Sequence, residues 1–546
     1  MIRPEIGVTT FLNSAEYKPW PCIFKEKYSD FIVLEVLSDG TCCKISDGSS
    51  DVVPGKKEVK EVVMPSRLSE EDKEKLGQLK ELGEVLISVE GWTKDERREL
   101  HEYVRSLGPY DSKVDGQQIK AFKPSNVGRK RKFWPRDVPE QLHFTLSKAD
   151  YETSYAIGLI SKFLYRTPDS FGYCGLKDRR AVTAQRVSGF HVDALDLLAL
   201  NSRLKGITVS APKYEDKRLS LGNLWGNRFE VALRQFEMYN DEGLKDRIDE
   251  WSNNGFINYF GEQRFGSFSI STAEIGLKII QKDYETAVNM ILEPKENTKG
   301  SIGDCLKTYK ETKDPKSALK QIQGNLNHLV ETYVLKQLQN TPTNFKAAIL
   351  AIPRPQRSLY VHAYQSKIFN QIASKRAEKF GLQVLPGDLF QDESKLVTDS
   401  GDDITNVVLP LPSNKMRIPQ NEIGEWYKEI MDKDKLTEND FRDLHKDFAV
   451  TESFRNYVAK PRDVEYDLIG YNDRESMLQS AEPFAKVADG ELQKPEEGKY
   501  QALRVNFSLP SGCYATIALR ELLRVDLSKS AQREATANSR DVEPSE

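Results

Sequence analysis

The chain has 546 residues, a formal net charge of −4, 38% hydrophobic and 30% charged residues, which predicts two to four globular domains with ample core. No apolar run approaches the ~18 residues needed to cross a bilayer, and the opening MIRPEIGVTTFLNSAEY has no apolar signal segment, so an intracellular location, nuclear or cytoplasmic, is expected. The six cysteines and six histidines form no Cys-x-x-Cys or His-x-x-x-His pair, which disfavours structural zinc and a disulfide scaffold. An acidic total gives no support for nucleic-acid binding, so any such support must come from local patches.

Phe31-Ile32-Val33-Leu34-Glu35-Val36 is dense in β-formers and is stopped by Ser38-Asp39-Gly40, which predicts a strand. Residues 44–136 read as a polar insertion. Ser69 with Asp72 opens one helix, and Thr93 with Glu96 forms a capping box for a second. Leu100, Tyr103, Val104 and Leu107 recur along that second helix at helical spacing, and Gly108 ends it. The insertion exits through Arg129-Lys130-Arg131-Lys132 and Phe133-Trp134-Pro135-Arg136. That run fits phosphate contact, a nuclear address or a plain solvated loop.

Leu142, Phe144 and Leu146 alternate as a strand, and Ala156, Leu159, Ile160, Phe163 and Leu164 mark an amphipathic helix. These lead into Phe171–Phe190, whose centre is Gly175-Leu176-Lys177-Asp178-Arg179-Arg180. One carboxylate there stands among three cations, and a β-branched run follows. Neighbouring positive charge favours an ionised carboxylate, which can serve as acceptor and nucleophile. An Asp between Lys and Arg is equally a common turn former in a solvated loop.

The glycine-rich piece Leu219–Phe229 lacks both the phosphate-loop ending and dinucleotide spacing, so no nucleotide cofactor is expected. A strand follows over Phe229–Leu233. Asn258-Tyr259-Phe260-Gly261-Glu262-Gln263-Arg264-Phe265-Gly266 sets aromatics, amides and an arginine among glycines. Stacking and base-edge reading suit such a set, as does a tight aromatic turn. Residues 285–325 are charged. Helical stripes then run through Leu326–Val334 and from about Val361 to Phe380, with Gly381 as a stop. Residues 391–403 read as an acidic loop. Leu503, Val505, Phe507 and Leu509 alternate as a strand, Pro510-Ser511-Gly512 turns, and a helix spans Ala515–Leu523. The tail, 528–546, is poor in apolar residues and is expected to be disordered.

Four blocks together resemble the signatures of the TruD family of pseudouridine synthases, in the family's order. They are Gly175-x-Lys177-Asp178-Arg179-x-Ala181-x-Thr183-x-Gln185, the Asn258–Gly266 segment, Arg357-Ser358-Leu359-Tyr360 through Gln365-Ser366, Phe369-Asn370 and Arg376, and Phe507-x-Leu509-Pro510-x-Gly512-x-Tyr514-Ala515-Thr516 with Leu519-Arg520-Glu521-Leu522. The resemblance implies an α/β (α+β) catalytic domain, a mixed, mainly antiparallel sheet with flanking helices, assembled from 1–43, 137–254 and 468–527. It makes 44–136 a helical, basic-ended insertion and 255–467 the family-specific TRUD domain.

The implied activity is isomerisation of uridine in RNA to its C-glycoside by a monomer that uses no cofactor and no metal. Transfer RNA is the implied substrate, with messenger and small nuclear RNA as further candidates. Asp178 falls on the family's catalytic aspartate, the nucleophile toward a flipped-out uridine. Lys25, six residues before Phe31, falls on an active-site lysine expected to orient Asp178 and hold it ionised. Asn258 and Phe260, with Gln263 and Arg264, fall on the pocket for the target base. Lys177, Arg179, Arg129, Lys130, Arg131 and Lys132 are assigned to the RNA backbone.

Overall fold

In the computed structural model the strands expected at Phe31 and Leu503 lie in one sheet, separated by a single strand. The structure describes residues 2–541 apart from 14–15, 50, 52–63, 109, 124–133, 135–137, 239–242, 267–270, 295–297, 299, 325, 393–394, 399–402, 443, 445 and 449.

The sheet runs in the order Arg462–Tyr471, Tyr500–Pro510, Gly226–Arg234, Phe31–Val36, Val182–Phe190, Gln141–Ala149, Ile207–Glu215. Ile23–Phe24 and Phe171–Tyr173 add short pairings to it. Every pair is antiparallel except Phe31–Val36 with Val182–Phe190, where Ile32 faces Val182 in parallel. A parallel neighbour needs a crossover, and here the crossover contains the 44–136 insertion, the Gln141–Ala149 strand and the Thr153–Phe163 helix. That helix buries Ala156, Ile157 and Ile160 against Leu142, Phe144, Leu146 and Val187.

Strand periodicity divides the sheet's two faces. Phe31, Val33, Phe229, Val231, Val505 and Phe507 point into the largest core, whereas Ile32 and Val182 join a separate cluster on the other face. The largest core is shared with a mainly helical region that leaves the sheet after Arg234 and rejoins it at Arg462. Its spine is the helix Arg354–Phe380, with Pro355 in its first turn and Gly381, at φ +54°, ending it. The helix Thr272–Ile280 lies close against this spine at Gly276, where an added Cβ would sit 2.0 Å from the Tyr360 carbonyl oxygen. Arg376 donates two hydrogen bonds to Asp388, at 3.0 and 2.8 Å, inside this core.

Several sequence expectations change. The expected boundary at 467 falls inside a strand of the main sheet, because Arg462 pairs with Ser508 and Glu465 with Asn506. The insertion is not only helical. Its helices Glu70–Gly77 and Lys94–Ser106 pack on a three-stranded sheet of Glu84–Ser88, Gln118–Phe122 and Asp111–Asp115. Val85, Ile87, Ile119 and Ala121 alternate inward and meet Leu100 and Val104. The Thr93–Glu96 capping box is present. The acidic segment expected as a loop contains the paired strands Leu389–Asp392 and Lys395–Thr398.

The tail expected to be disordered forms a helix over Lys529–Asp541. Gln532 Oε1 docks it by accepting from the Phe24 N–H at 2.7 Å, and Ser528 Oγ caps its start by accepting from the Ala531 N–H at 3.3 Å. The basic run Arg129–Lys132 lies outside the described residues.

Candidate active site

Asp178 sits in a short connection between Phe171–Tyr173 and Val182–Phe190 that is tied down on several sides. Gln185 donates to the Gly175 carbonyl at 2.9 Å, and Thr153 Oγ1 accepts from the Lys177 N–H at 3.2 Å. The Asp150 N–H reaches the Ala181 carbonyl at 3.1 Å, and Lys148 Nζ donates to the Asp178 carbonyl at 3.0 Å. The backbone around the carboxylate is therefore held by groups on the adjacent strand and helix, while the Asp178 side chain stays 40% exposed.

Lys25 meets that carboxylate, with its Nζ 2.6 Å from Asp178 Oδ2. Its ammonium also lies 3.6 Å from the centroid of the Phe31 ring, a cation–π placement that limits where the charge can go. The lysine adopts φ +57°, a left-handed conformation that costs a non-glycine residue about 1–2 kcal/mol. Strain of this kind persists only where the surroundings enforce it, and it clusters at functional sites. Arg180 Nη2 donates to the Glu26 carbonyl at 2.7 Å, so the two segments are joined a second time.

The other cations of the Lys177–Arg180 run divide. Lys177, expected to face RNA phosphate or neighbouring backbone, is buried. Its Nζ lies 2.7 Å from Glu35 Oε2, with the two side chains 3% and 0% exposed, and it donates to Asn227 Oδ1 at 2.7 Å. It cannot face a phosphate there, because Glu35 projects from the Phe31–Val36 strand and draws the lysine down onto the sheet. Arg179 is 67% exposed, with only a 3.8 Å approach to Asp150, and remains open to RNA.

Lys148 escaped the sequence reading. It is fully buried, and burial pushes its pKa down to about 8, against the opposing pull of Asp178. A signal existed: Lys148 continues the inward phase of Leu142, Phe144 and Leu146, where a lysine needs a partner.

The second block forms its own cluster. Phe256–Ile257 pairs with Val458–Ala459, which brings Asn258 beside Asn456 and Arg455. Arg455 donates from Nε to the Asn258 carbonyl at 2.7 Å, and from Nη2 to Asn258 Oδ1 at 2.7 Å and to the Tyr259 carbonyl at 3.2 Å. Its guanidinium carbon is 4.1 Å from the Phe260 ring centroid. The Asn258 amide also donates to the Asn456 carbonyl at 3.2 Å. With one bond used at each end, Asn258 retains one donor and one acceptor site for a ligand.

Phe260 is buried, held by Asn370 through its N–H at 2.8 Å and its carbonyl at 3.2 Å, and it packs edge-on to Phe369. Arg264 lies 5.8 Å from the Phe260 ring, whereas Gln263 is exposed on the turn Glu262–Arg264. Phe260 belongs to the same large core as Phe31, Val33 and Phe229. Arg455 was also missed, because the 425–500 region carries little periodicity to set one arginine apart. Among the described residues no group of three or more His, Cys, Asp or Glu is arranged to hold a metal.

Comparison with known proteins places this geometry. Residues 125–522 match the model of the family described as TruD, tRNA pseudouridine synthase D. Over 97% of this chain and 82% of the relative, the sequence is 32% identical to the Homo sapiens "Pseudouridylate synthase 7 homolog". It is 27% identical to the Schizosaccharomyces pombe "Multisubstrate pseudouridine synthase 7", over 98% and 92% of the two chains. A crystal structure of a TruD protein from Methanosarcina mazei shares the fold, with a TM-score of 0.60 at 20% identity, covering 96% of this chain and 98% of that one. Lys25 precedes the family-matched residues, so its role rests on its geometry.

Proposed function

The chain belongs to the TruD family of pseudouridine synthases, isomerases that act on RNA, and from that premise we propose that Asp178 is the nucleophile, oriented by Lys25. The observation that supports this reading is the 2.6 Å Lys25–Asp178 pair on a pinned loop that leaves the carboxylate 40% exposed. Isomerising a base within RNA requires extruding it from its stack, at a cost of about a few kcal/mol. The detached base is rejoined to the sugar through carbon, so a C–C bond replaces the glycosidic C–N bond. The proton lost from that carbon is balanced by one gained on nitrogen. Nothing is oxidised or added, so the reaction calls for no cofactor.

Asn258, with its spare donor and acceptor, and Phe260, with its ring, supply recognition of the extruded uracil; Arg264 flanks them. Arg179 and the basic run Arg129–Lys132 supply phosphate contacts. Transfer RNA is the primary substrate in this reading. Messenger and small nuclear RNA are further ones in this reading; the multisubstrate designation of the fission-yeast relative supports more than one substrate. The protein acts as a monomer, and the basic run also suits a nuclear address. No described helix is long and apolar enough to cross a membrane.

The test is pseudouridine formation in a transfer RNA pool by purified protein, with and without Asp178→Ala. Conversion by the wild type and none by the variant is expected. Turnover that survives the substitution overturns the assignment.

A further inference from the structure

The rim of the Asp178 loop exposes an unusual amount of apolar surface. Leu176, two residues before the carboxylate, is 68% exposed, Leu221 is 72% exposed and Tyr155 is 57% exposed. Hydrogen bonds gather these residues around one loop. The Gly222 N–H reaches the Cys174 carbonyl at 2.9 Å, which brings Leu221 to the segment carrying Leu176. Thr153 Oγ1 accepts from the Lys177 N–H, which fixes the first turn of the Tyr155 helix against the same segment.

Tyr155 is also pre-oriented. Its ring stacks on Tyr151 at 5.7 Å with planes 10° apart. Tyr151 in turn is backed by Gly206, at φ +69°, where a Cβ would come within 2.9 Å of the Tyr151 ring. Arg179, 67% exposed, lies on the same loop and approaches Asp150, whose N–H bonds the Ala181 carbonyl.

We infer that Tyr155, Leu176 and Leu221, together with Arg179, bind the unstacked bases flanking the target uridine in the RNA strand, with Tyr155 as a stacking platform. This rests on the reading of Asp178 given above. When a uridine leaves its stack, each neighbouring base loses an apolar partner. An aromatic ring held on Tyr151, next to the Asp150 that Arg179 approaches, replaces it, because every base has a face that stacks. The exposed guanidinium on the loop matches the strand's phosphates. A role in the core does not account for these side chains, since more than half of each lies open.

The experiment uses the full chain and a short single-stranded RNA taken from a transcript that the protein modifies. Companion RNAs carry an abasic nucleotide on either side of the target uridine, and binding is read by fluorescence anisotropy. Tyr155→Ala is expected to weaken binding of the intact RNA by about five- to a hundred-fold, the range for removing a base-stacking aromatic. Tyr155→Phe restores it. One abasic RNA is expected to lose a similar factor with the wild type and little more with Tyr155→Ala, which is the signature of a shared contact. Leu221→Ala, read separately, weakens binding by a smaller factor.

Wild-type affinity in both alanine variants overturns the inference, as do abasic losses that add in full to that of Tyr155→Ala. If these variants bind only a protein partner less well, the rim is a protein-docking face instead. A wild-type chain that neither binds nor modifies RNA overturns the proposed function as well. A wild type that converts uridine while the variants behave identically overturns the rim alone.

Discussion

Lys25 and Asp178 lie 153 positions apart in the chain and 2.6 Å apart in space. The parallel pairing of Phe31–Val36 with Val182–Phe190 makes the contact, since it sets the entrances of the two strands side by side. The lysine's left-handed backbone and the aromatic ring beneath its ammonium then aim it at the carboxylate.

Replacing Lys25 with Met should lower kcat by about two orders of magnitude or more, the scale for removing one preorganised charge partner at a reacting group. RNA affinity should change little, because the side chain is only 17% exposed and is committed to Asp178. Single-turnover conversion alongside equilibrium binding separates the two effects.

Lys177 should behave as a structural residue. Lys177→Met leaves Glu35 as an uncompensated buried charge and should destabilise the fold by about 3–5 kcal/mol. The double change Lys177→Met with Glu35→Met should recover most of that loss. Denaturant unfolding of the wild type and the two variants reads it. A Lys177→Met chain with wild-type stability and weakened RNA binding would return the residue to the RNA backbone.

The Lys148 ammonium is disfavoured in the fold, where burial lowers its pKa to about 8 from the usual 10.5. Between those values the unfolded chain binds a proton that the folded chain has released, so the cost of burying the charge disappears as pH rises. Wild-type stability measured against Lys148→Met should therefore increase from pH ~8 toward pH ~10.5 and be flat below pH ~7. Unfolding curves of both proteins across that range check the sign.

Arg455→Lys should not be conservative. A lysine cannot bond the Asn258 carbonyl, Asn258 Oδ1 and the Tyr259 carbonyl from one plane while stacking on Phe260. Losing charge-assisted bonds of about 1.5–3 kcal/mol each should lower the unfolding free energy by a comparable amount and cut kcat/KM by about ten-fold or more. Steady-state kinetics with one RNA substrate measures it.

Much of this was legible locally. The β-former run at Phe31–Val36 and the alternation at Leu142–Leu146 and Leu503–Leu509 specify strands, the stripe before Gly381 specifies the long helix, and the Thr93–Glu96 box marks a helix start. Each of these signals lies within a few residues, where backbone and side-chain periodicity dictate the outcome. The ordered signature blocks likewise carried the family and its chemistry. The insertion's small sheet was less legible because its strands are short and charged. The tail helix was hidden because its docking bond, from Phe24 to Gln532, spans nearly the whole chain.

By itself, the sequence determined the main sheet's strands, the long helix and the family, and it singled out Asp178 as the carboxylate to propose, because periodicity and motif content are local properties. Only the tertiary structure decided which of the neighbouring cations serves that carboxylate. Lys177 and Arg179 adjoin Asp178 in the chain, yet the folded loop carries Lys177 down to Glu35 and leaves Arg179 in solvent. Lys25 and Lys148, far apart in sequence, arrive at its side chain and its carbonyl. Charge acts through distance in space, and the sheet's register sets that distance.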